Sequence, residues 1–291
     1  MRGRVIANFG QRLAVRNQAG EMIQCNSLRR FGLLVSGDWI EYQQQNNQSY
    51  VIKQVFPRRS SLERPDRRGR PKPLAANIDQ LLVVVASIPA PDWVMVSAYL
   101  VYAMHHGLKA ALVLNKSDLF ATQGDNNFLD TANIYTYLDY PVIKTSCKSG
   151  AGINELKKIL TGHTSVLVGQ SGVGKSSIVK QLLPDQQIQI NAVSAATGQG
   201  SHTTTTTMLY QCNNGGELID SPGVRQFSIV HLPAESIRKG FIEFNEYSDQ
   251  CQFANCSHIQ EPGCAVIAAV EEGSVVKQRW QHYKELLNRA I

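Results

Sequence analysis

No apolar run in these 291 residues approaches the roughly 20 positions that a membrane-spanning helix requires. The opening residues, Met1-Arg2-Gly3-Arg4-Val5, lack the apolar region of a secretory signal. Cysteine is scarce as well: six in a chain of this length make a poor disulfide framework. These absences exclude the helical-membrane and disulfide-scaffold classes and lead us to expect a cytoplasmic protein with no membrane partner. Acidic residues are short in one region only. Residues 1–76 carry 14 Lys/Arg against 5 Asp/Glu, whereas residues 77–291 carry 15 against 18. Such segregation predicts that the N-terminal part meets a polyanion. A hydrophobic content of 43% suffices for proper cores, and the length predicts two or three folding units.

Short alternating runs fill residues 1–57: Arg4–Ala7, Leu13–Val15, Glu21–Cys25, Trp39–Tyr42 and Tyr50–Val55, parted by turns at 18–20, 36–38 and 45–47. Five strands in so few residues predict a small all-β barrel. The OB-fold is the nucleic-acid-gripping form, and an SH3-like barrel fits the pattern equally. Residues 58–76 read as a basic linker that buries no core. From Asn77 apolar strands (Gln80–Ala86, Ala110–Leu114, Pro141–Thr145, Ser165–Val168) alternate with helical patterns over 92–106, 128–140, 152–160 and 176–183. This alternation predicts a central α/β domain over 77–232 with a doubly wound parallel sheet, whose ligands lie beyond the carboxyl ends of strands. Residues 233–291 are expected to form a small α-rich third unit closed by a helix over 271–290.

The motifs sit where that sheet would place them. After Ser165–Val168 comes a G-x-x-x-x-G-K-S loop, made of Gly169, Gln170, Ser171, Gly172, Val173, Gly174, Lys175 and Ser176, with Ser177 in the following turn. Glycines let backbone N–H groups close around a phosphate at a helix N-terminus, Lys175 reaches the β- and γ-phosphates, and the Ser176 hydroxyl joins a magnesium shell. After the second strand stands Asn115-Lys116-Ser117-Asp118. A carboxylate in the base plane accepts both the N1–H and the N2 amino hydrogens of guanine, a donor pair that adenine lacks. Asn115 would tie this loop to the phosphate loop, with the Lys116 stem along the base. Ser146-Cys147-Lys148, after the third strand, matches a loop whose N–H groups meet the guanine O6. Downstream, Thr204 in a threonine run (203–207) is a second magnesium ligand candidate, and Asp220 and Gly223 form a D-x-x-G. Residue 224 is Val, which cannot orient a water, so His202 beside the threonines is the candidate catalytic group. A P-loop ATPase or kinase, and a non-catalytic RNA-binding module that uses nucleotide as a staple, are the rival readings. The guanine motif opposes the first.

Cys251, Cys256, His258 and Cys264 offer three thiolates and one imidazole, a closed tetrahedral shell suited to one structural zinc. The barrel pattern, the basic stretch, guanine motifs that precede the P-loop, and the C-x4-C-x-H-x5-C segment together resemble the circularly permuted bacterial GTPase family RsgA/YjeQ, over essentially the whole chain. Separately, we expect a monomer; the resemblance implies a GTPase, hydrolysing GTP to GDP and stimulated by the small ribosomal subunit late in its maturation. It also implies barrel and zinc domains that grip ribosomal RNA, and it points to the same His202. One departure stands out: the residue before His202 is Ser201, where the family usually carries a basic group.

Overall fold

The computed structural model describes residues 1–45, 49–66, 68–120, 126–197, 207–220 and 232–290. The N-terminal strands β1 (Arg2–Phe9), β2 (Arg12–Asn17), β3 (Met22–Asn26), β4 (Trp39–Gln44) and β5 (Tyr50–Val55) pair in the order β1-β2-β3-β5-β4. β4 returns to β1 and closes the barrel. This five-stranded closure, with the parallel β3–β5 pair, is OB-like. Alternate side chains fill it: Val5, Leu13, Val15, Cys25, Leu34, Ile40, Tyr42 and Ile52 form a core of their own.

Residues 58–76 depart from the expectation of a coreless linker. β6 (Ser61–Pro65) and β7 (Pro71–Ala76) form an antiparallel hairpin. Leu62, Leu74 and Ala75 are buried in the main core, and Ala76 is buried beside them. The buried residues are few, Leu62 and the contiguous Leu74-Ala75-Ala76, and are set among charged neighbours. The turn is held by Asp66, whose carboxylate accepts the N–H groups of Arg68 and Arg70 at 2.7 and 3.0 Å; those two bonds hold its pKa below the ordinary value. Prolines stand at the hairpin's ends and beside a bulge after Leu62, where a ladder donor is dispensable.

The central sheet runs β10 (Val142–Lys144), β9 (Lys109–Leu114), β8 (Gln80–Val85), β11 (Thr164–Val168) and β13 (Glu217–Asp220), all parallel, then antiparallel β12 (Met208–Gln211). β12 pairs with β1 at Met208–Ala7, so the barrel and the α/β sheet form one eleven-stranded array. Strand β8 is buried at every position, as a continuous Gln-Leu-Leu-Val-Val-Val run requires when both faces are covered. Helix α1 (Trp93–His105) is capped by Asp92, whose side chain accepts the Met95 N–H at 2.9 Å. It is apolar nearly all round because it lies between the sheet and the C-terminal helices. α2 (Asn126–Tyr137), α3 (Ile153–Leu160) and α4 (Lys175–Leu182) follow the expected pattern with ends shifted by a few residues. α5 (Gln186–Thr197), not expected, packs on barrel strands β2 and β3.

The C-terminal unit is helical, as expected, but its last helix begins at Lys277 and not at 271, and a separate helix precedes it. Ala265–Glu271 and Lys277–Ala290 are separated by Gly273, which sits at φ +84°. The second helix packs on α1 and on helix Ala234–Gly240. Arg279, fully buried, anchors it: Nε donates to Glu243 Oε1 at 2.6 Å and Nη1 to Ser97 Oγ at 2.7 Å, with the guanidinium over Phe241 and Tyr135. No helix among the described residues is long and apolar enough to cross a membrane.

Candidate functional site

Strands β9, β10, β11 and β13 end side by side, and the motifs follow each end. Gly169 leaves β11 at φ +136°, and a Cβ there would lie 2.2 Å from Val84 O; only glycine lets the loop turn against β8. Gly174 opens α4 at φ +96°, where a Cβ would meet Asn115 Nδ2 at 2.3 Å. That near contact marks the join between two motifs far apart in sequence. Asn115 Nδ2 donates to Val173 O at 2.8 Å, and its Oδ1 accepts from Thr145 Oγ1 at 3.1 Å. The predicted tie between guanine motif and phosphate loop is therefore made by a buried amide. Lys175, also buried, directs Nζ into the loop, to Gly169 O at 2.5 Å and Gln170 O at 2.6 Å.

At the base end, Lys116 adopts φ +60° and Nζ donates to Ile88 O at 2.8 Å. Asp118 Oδ1 accepts the Ser146 hydroxyl at 2.6 Å. That bond, ahead of the lesser pull of Lys148 and Lys116, holds the Asp118 carboxyl below its ordinary value. Ser146 Oγ also accepts the N–H groups of Lys148 and Ser149, both at 3.3 Å, and so shapes the third-strand loop. A cavity of about 430 Å³ opens between Asn115, Lys116, Asp118, Cys147, Lys148 and Ser177. Lys180 and Gln181 line it too, and sequence reasoning missed both. They lie three and four positions after Ser177, on the same helical face, a spacing that offered the signal. Gln181 Nε2 donates to Cys147 O at 3.3 Å, closing the cavity's far side. Gln170 is fixed from outside the motifs, its Oε1 accepting the Asp92 N–H at 3.3 Å.

Ser176 stands in the first turn of α4. Asp220 ends β13, whose Ile219 is level with Val166 of β11, so both oxygens lie at the phosphate-loop end of neighbouring strands. An oxygen-only donor set of this kind fits a hard divalent cation such as magnesium. His202, Thr204 and Gly223 lie outside the described residues.

The zinc candidates do converge. Cys251 Sγ is 3.9 Å from Cys264 Sγ and 3.6 Å from His258 Nδ1, Cys264 Sγ is 3.5 Å from His258 Nδ1, and all four ligand atoms, Cys256 included, fall within 4.8 Å of one another. Zinc at about 2.3 Å from sulfur sets two tetrahedral sulfurs about 3.8 Å apart, so the cluster fits the ion. His258 takes φ +57° to present Nδ1, and its Nε2 lies 3.4 Å from Ser248 Oγ. Glu261 orders the loop between ligands by accepting the N–H groups of Ser257, Ile259 and Gln260. Burial alone would raise its pKa, but the Ser257 hydroxyl and these backbone groups bring it down to about 2. Trp280 Nε1 donates to His258 O at 2.7 Å and Tyr283 Oη to Ser257 O at 2.7 Å, seating the metal loop on the C-terminal helix. Cys256→Ala is expected to lose zinc, measured by elemental analysis, and to expose amides 248–265 to exchange, since a small segment draws its stability from the ion. Strands β8–β11 should stay protected. A zinc-free protein with 248–265 still protected would refute this.

A family model described as RsgA GTPase matches residues 55–230. The small ribosomal subunit biogenesis GTPase RsgA of Ectopseudomonas mendocina is 42% identical over 289 residues, covering 98% of this chain and 84% of the relative. The protein of the same name from Azotobacter vinelandii is 43% identical with the same coverage. The crystal structure of YjeQ from Thermotoga maritima matches with a TM-score of 0.77 at 32% identity, over 99% of both chains. YloQ, titled a circularly permuted GTPase, shares the fold at a TM-score of 0.77.

Proposed function

The chain belongs to the RsgA GTPase family, GTP hydrolases of ribosome biogenesis, and on that premise we propose that it binds the small ribosomal subunit and that the particle stimulates its turnover. The reading extends to three units, an OB-like barrel over 1–57 joined through 58–76 to a permuted GTPase domain over 77–232 and a zinc-binding domain over 233–291, in a cytoplasmic monomer with no membrane partner. The observation that carries the nucleotide assignment is the Asn115–Val173 hydrogen bond of 2.8 Å. It makes the base loop and the phosphate loop one unit although their order along the chain is permuted. Asp118 reads guanine, Lys116 covers its face, and the 146–148 loop supplies N–H groups to O6. The 169–176 loop and Lys175 hold the phosphates, with Ser177 and Gly223 completing the contacts. Ser176 and Thr204 would hold magnesium directly and Asp220 through water, and the ion would supply neutralisation of the charge on the phosphates.

The excess of cations in residues 1–76 supports ribosomal RNA as the partner surface. Val224 offers no water-positioning group, so His202 takes that role once the particle orders its segment. GTP turnover should therefore be low alone, rise at least about tenfold with small subunits, and be indifferent to large subunits. His202→Ala should keep GTP and particle binding but lose the rise. Full stimulation in that variant would move the water-positioning group to the ribosome. Equal turnover with and without small subunits would favour the nucleotide-stapled RNA-binding module instead.

A further inference from the structure

The barrel grips both strands of the β12–β13 hairpin. Ala7 of β1 pairs with Met208 at the start of β12. The Ser36 hydroxyl bridges Ile6 O and Thr207 O at 2.9 and 2.8 Å. Farther along β12, Arg16 Nη1 donates to Gln211 Oε1 at 2.8 Å. The strongest hold is on Glu217, the first residue of β13. Its two carboxylate oxygens are taken by different barrel arginines, Oε1 by Arg16 and Oε2 by Arg4. Thr164 Oγ1 adds a 2.9 Å bond to Oε2, and Arg4 Nη2 reaches Thr164 Oγ1 and Asn77 O at 3.0 and 3.2 Å. All three charged side chains are less than a fifth exposed. Charge-assisted bonds that engage both carboxylate oxygens at that depth fix geometry as well as energy.

The ends of this hairpin are the chemically important part. β12 begins one residue after Thr207, the last of the threonine run, and β13 ends at Asp220. Both segments assigned to sensing γ-phosphate and magnesium thus leave a hairpin whose body is fastened to the barrel. Glu217 lies three residues from Asp220 along a single strand of an inflexible sheet. From this we infer that Glu217, clamped by Arg4 and Arg16, is a positioning residue: it makes the hairpin part of the barrel, so that a polyanion seated on the barrel and a γ-phosphate in the nucleotide site bias the same element. The inference rests on the proposed roles of Asp220 and residues 203–207. Coupling of this kind is reciprocal, so the nucleotide must also be felt in the barrel.

Hydrogen exchange in β1 and β2 therefore provides the test, read with GDP and with a non-hydrolysable GTP analogue. The parent is expected to show a γ-phosphate-dependent change of at least about threefold in amides 2–17, within the range of ordinary coupling energies. Arg16→Leu and Glu217→Gln should abolish that difference while nucleotide affinities stay within about twofold, since neither residue touches the 169–176 loop or Asn115. Both variants should also bind small subunits yet lose most of the stimulated rate through kcat rather than KM, and Arg16→Lys should restore part of it. Glu217→Gln leaves Arg4 without its carboxylate and can unfold; Arg16→Leu, which removes the more exposed of the two arginines and leaves the Arg4–Glu217 pair in place, carries the test in that event. A parent that binds both nucleotides with identical barrel exchange overturns this inference alone, as does an Arg16→Leu variant with the full difference and full stimulation. A parent that binds neither nucleotide overturns the site reading, and this inference with it.

Discussion

Asp118→Asn is expected to exchange guanine for xanthine at the base. The carboxylate presents two acceptors to the N1–H and N2 amino group of guanine. An amide keeps one acceptor for N1–H and turns a donor toward position 2, where xanthine carries an oxygen. Ser146 Oγ, 2.6 Å from Asp118 Oδ1, still finds an oxygen acceptor, so the loop keeps its shape. A site built to hydrogen-bond one group rejects the analogue lacking it by about 10⁴–10⁵, so the GTP-to-XTP preference should swing by at least about 10³. Competition binding with GTP, XTP and ATP measures it; a variant that binds GTP normally and refuses XTP would show that Asp118 does not face the base. The same geometry fixes the pH profile. The Ser146 bond depresses the Asp118 pKa below its ordinary 3.8, so the ionised form prevails at neutral pH. Guanine affinity should be lost only as pH falls through that depressed value.

The second large effect concerns stability. Arg279→Met removes a fully buried guanidinium that binds Glu243 in two places, at 2.6 and 3.4 Å, and Ser97 at 2.7 Å. Glu243 is left as a carboxylate only 10% exposed with its counter-ion gone. Breaking one side of a buried pair costs about 3–5 kcal/mol, and here the stacking on Phe241 and Tyr135 is lost too. Urea unfolding followed by fluorescence should show an early transition of the C-terminal helices, because Trp280 adjoins Arg279 and reports on their packing. Adding Glu243→Leu should recover much of the loss, since an apolar pair of similar volume does not need desolvated charge. A single-variant midpoint within experimental error of the parent would mean that the C-terminal helix is held by its apolar face alone.

What the sequence made legible is what chemistry pins to short spacings. The phosphate loop, Asn115–Asp118 and the three thiolates with His258 each lie within a few residues of one another, and the structure brings each set together. Patterns of period two gave the barrel strands, and burial on both faces gave β8 and β9. Contacts between distant residues were not legible. Arg4 and Glu217 are 213 positions apart, Arg279 and Ser97 are 182 apart, and nothing local marks either arginine off from its solvated neighbours. The 61–76 hairpin was not legible because its few buried residues, Leu62 and the contiguous Leu74-Ala75-Ala76, stand among arginines and prolines with no period of two to mark them. Helix α5 was missed for the opposite reason, its polar, glutamine-rich surface giving little 3.6-residue signal.

The pairing of Met208 with Ala7 has one more consequence, for the edge of the α/β sheet. β12 is the last strand of the α/β sheet, and its outer row of N–H and C=O groups would be an open template for a neighbouring molecule. β1, part of a closed barrel, meets that row at Ala7, opposite Met208. A chain cut to residues 77–291 presents the row bare, with Met208 losing its partner Ala7. The barrel thus shields the start of that edge from edge-to-edge pairing, apart from its proposed role of facing a polyanion.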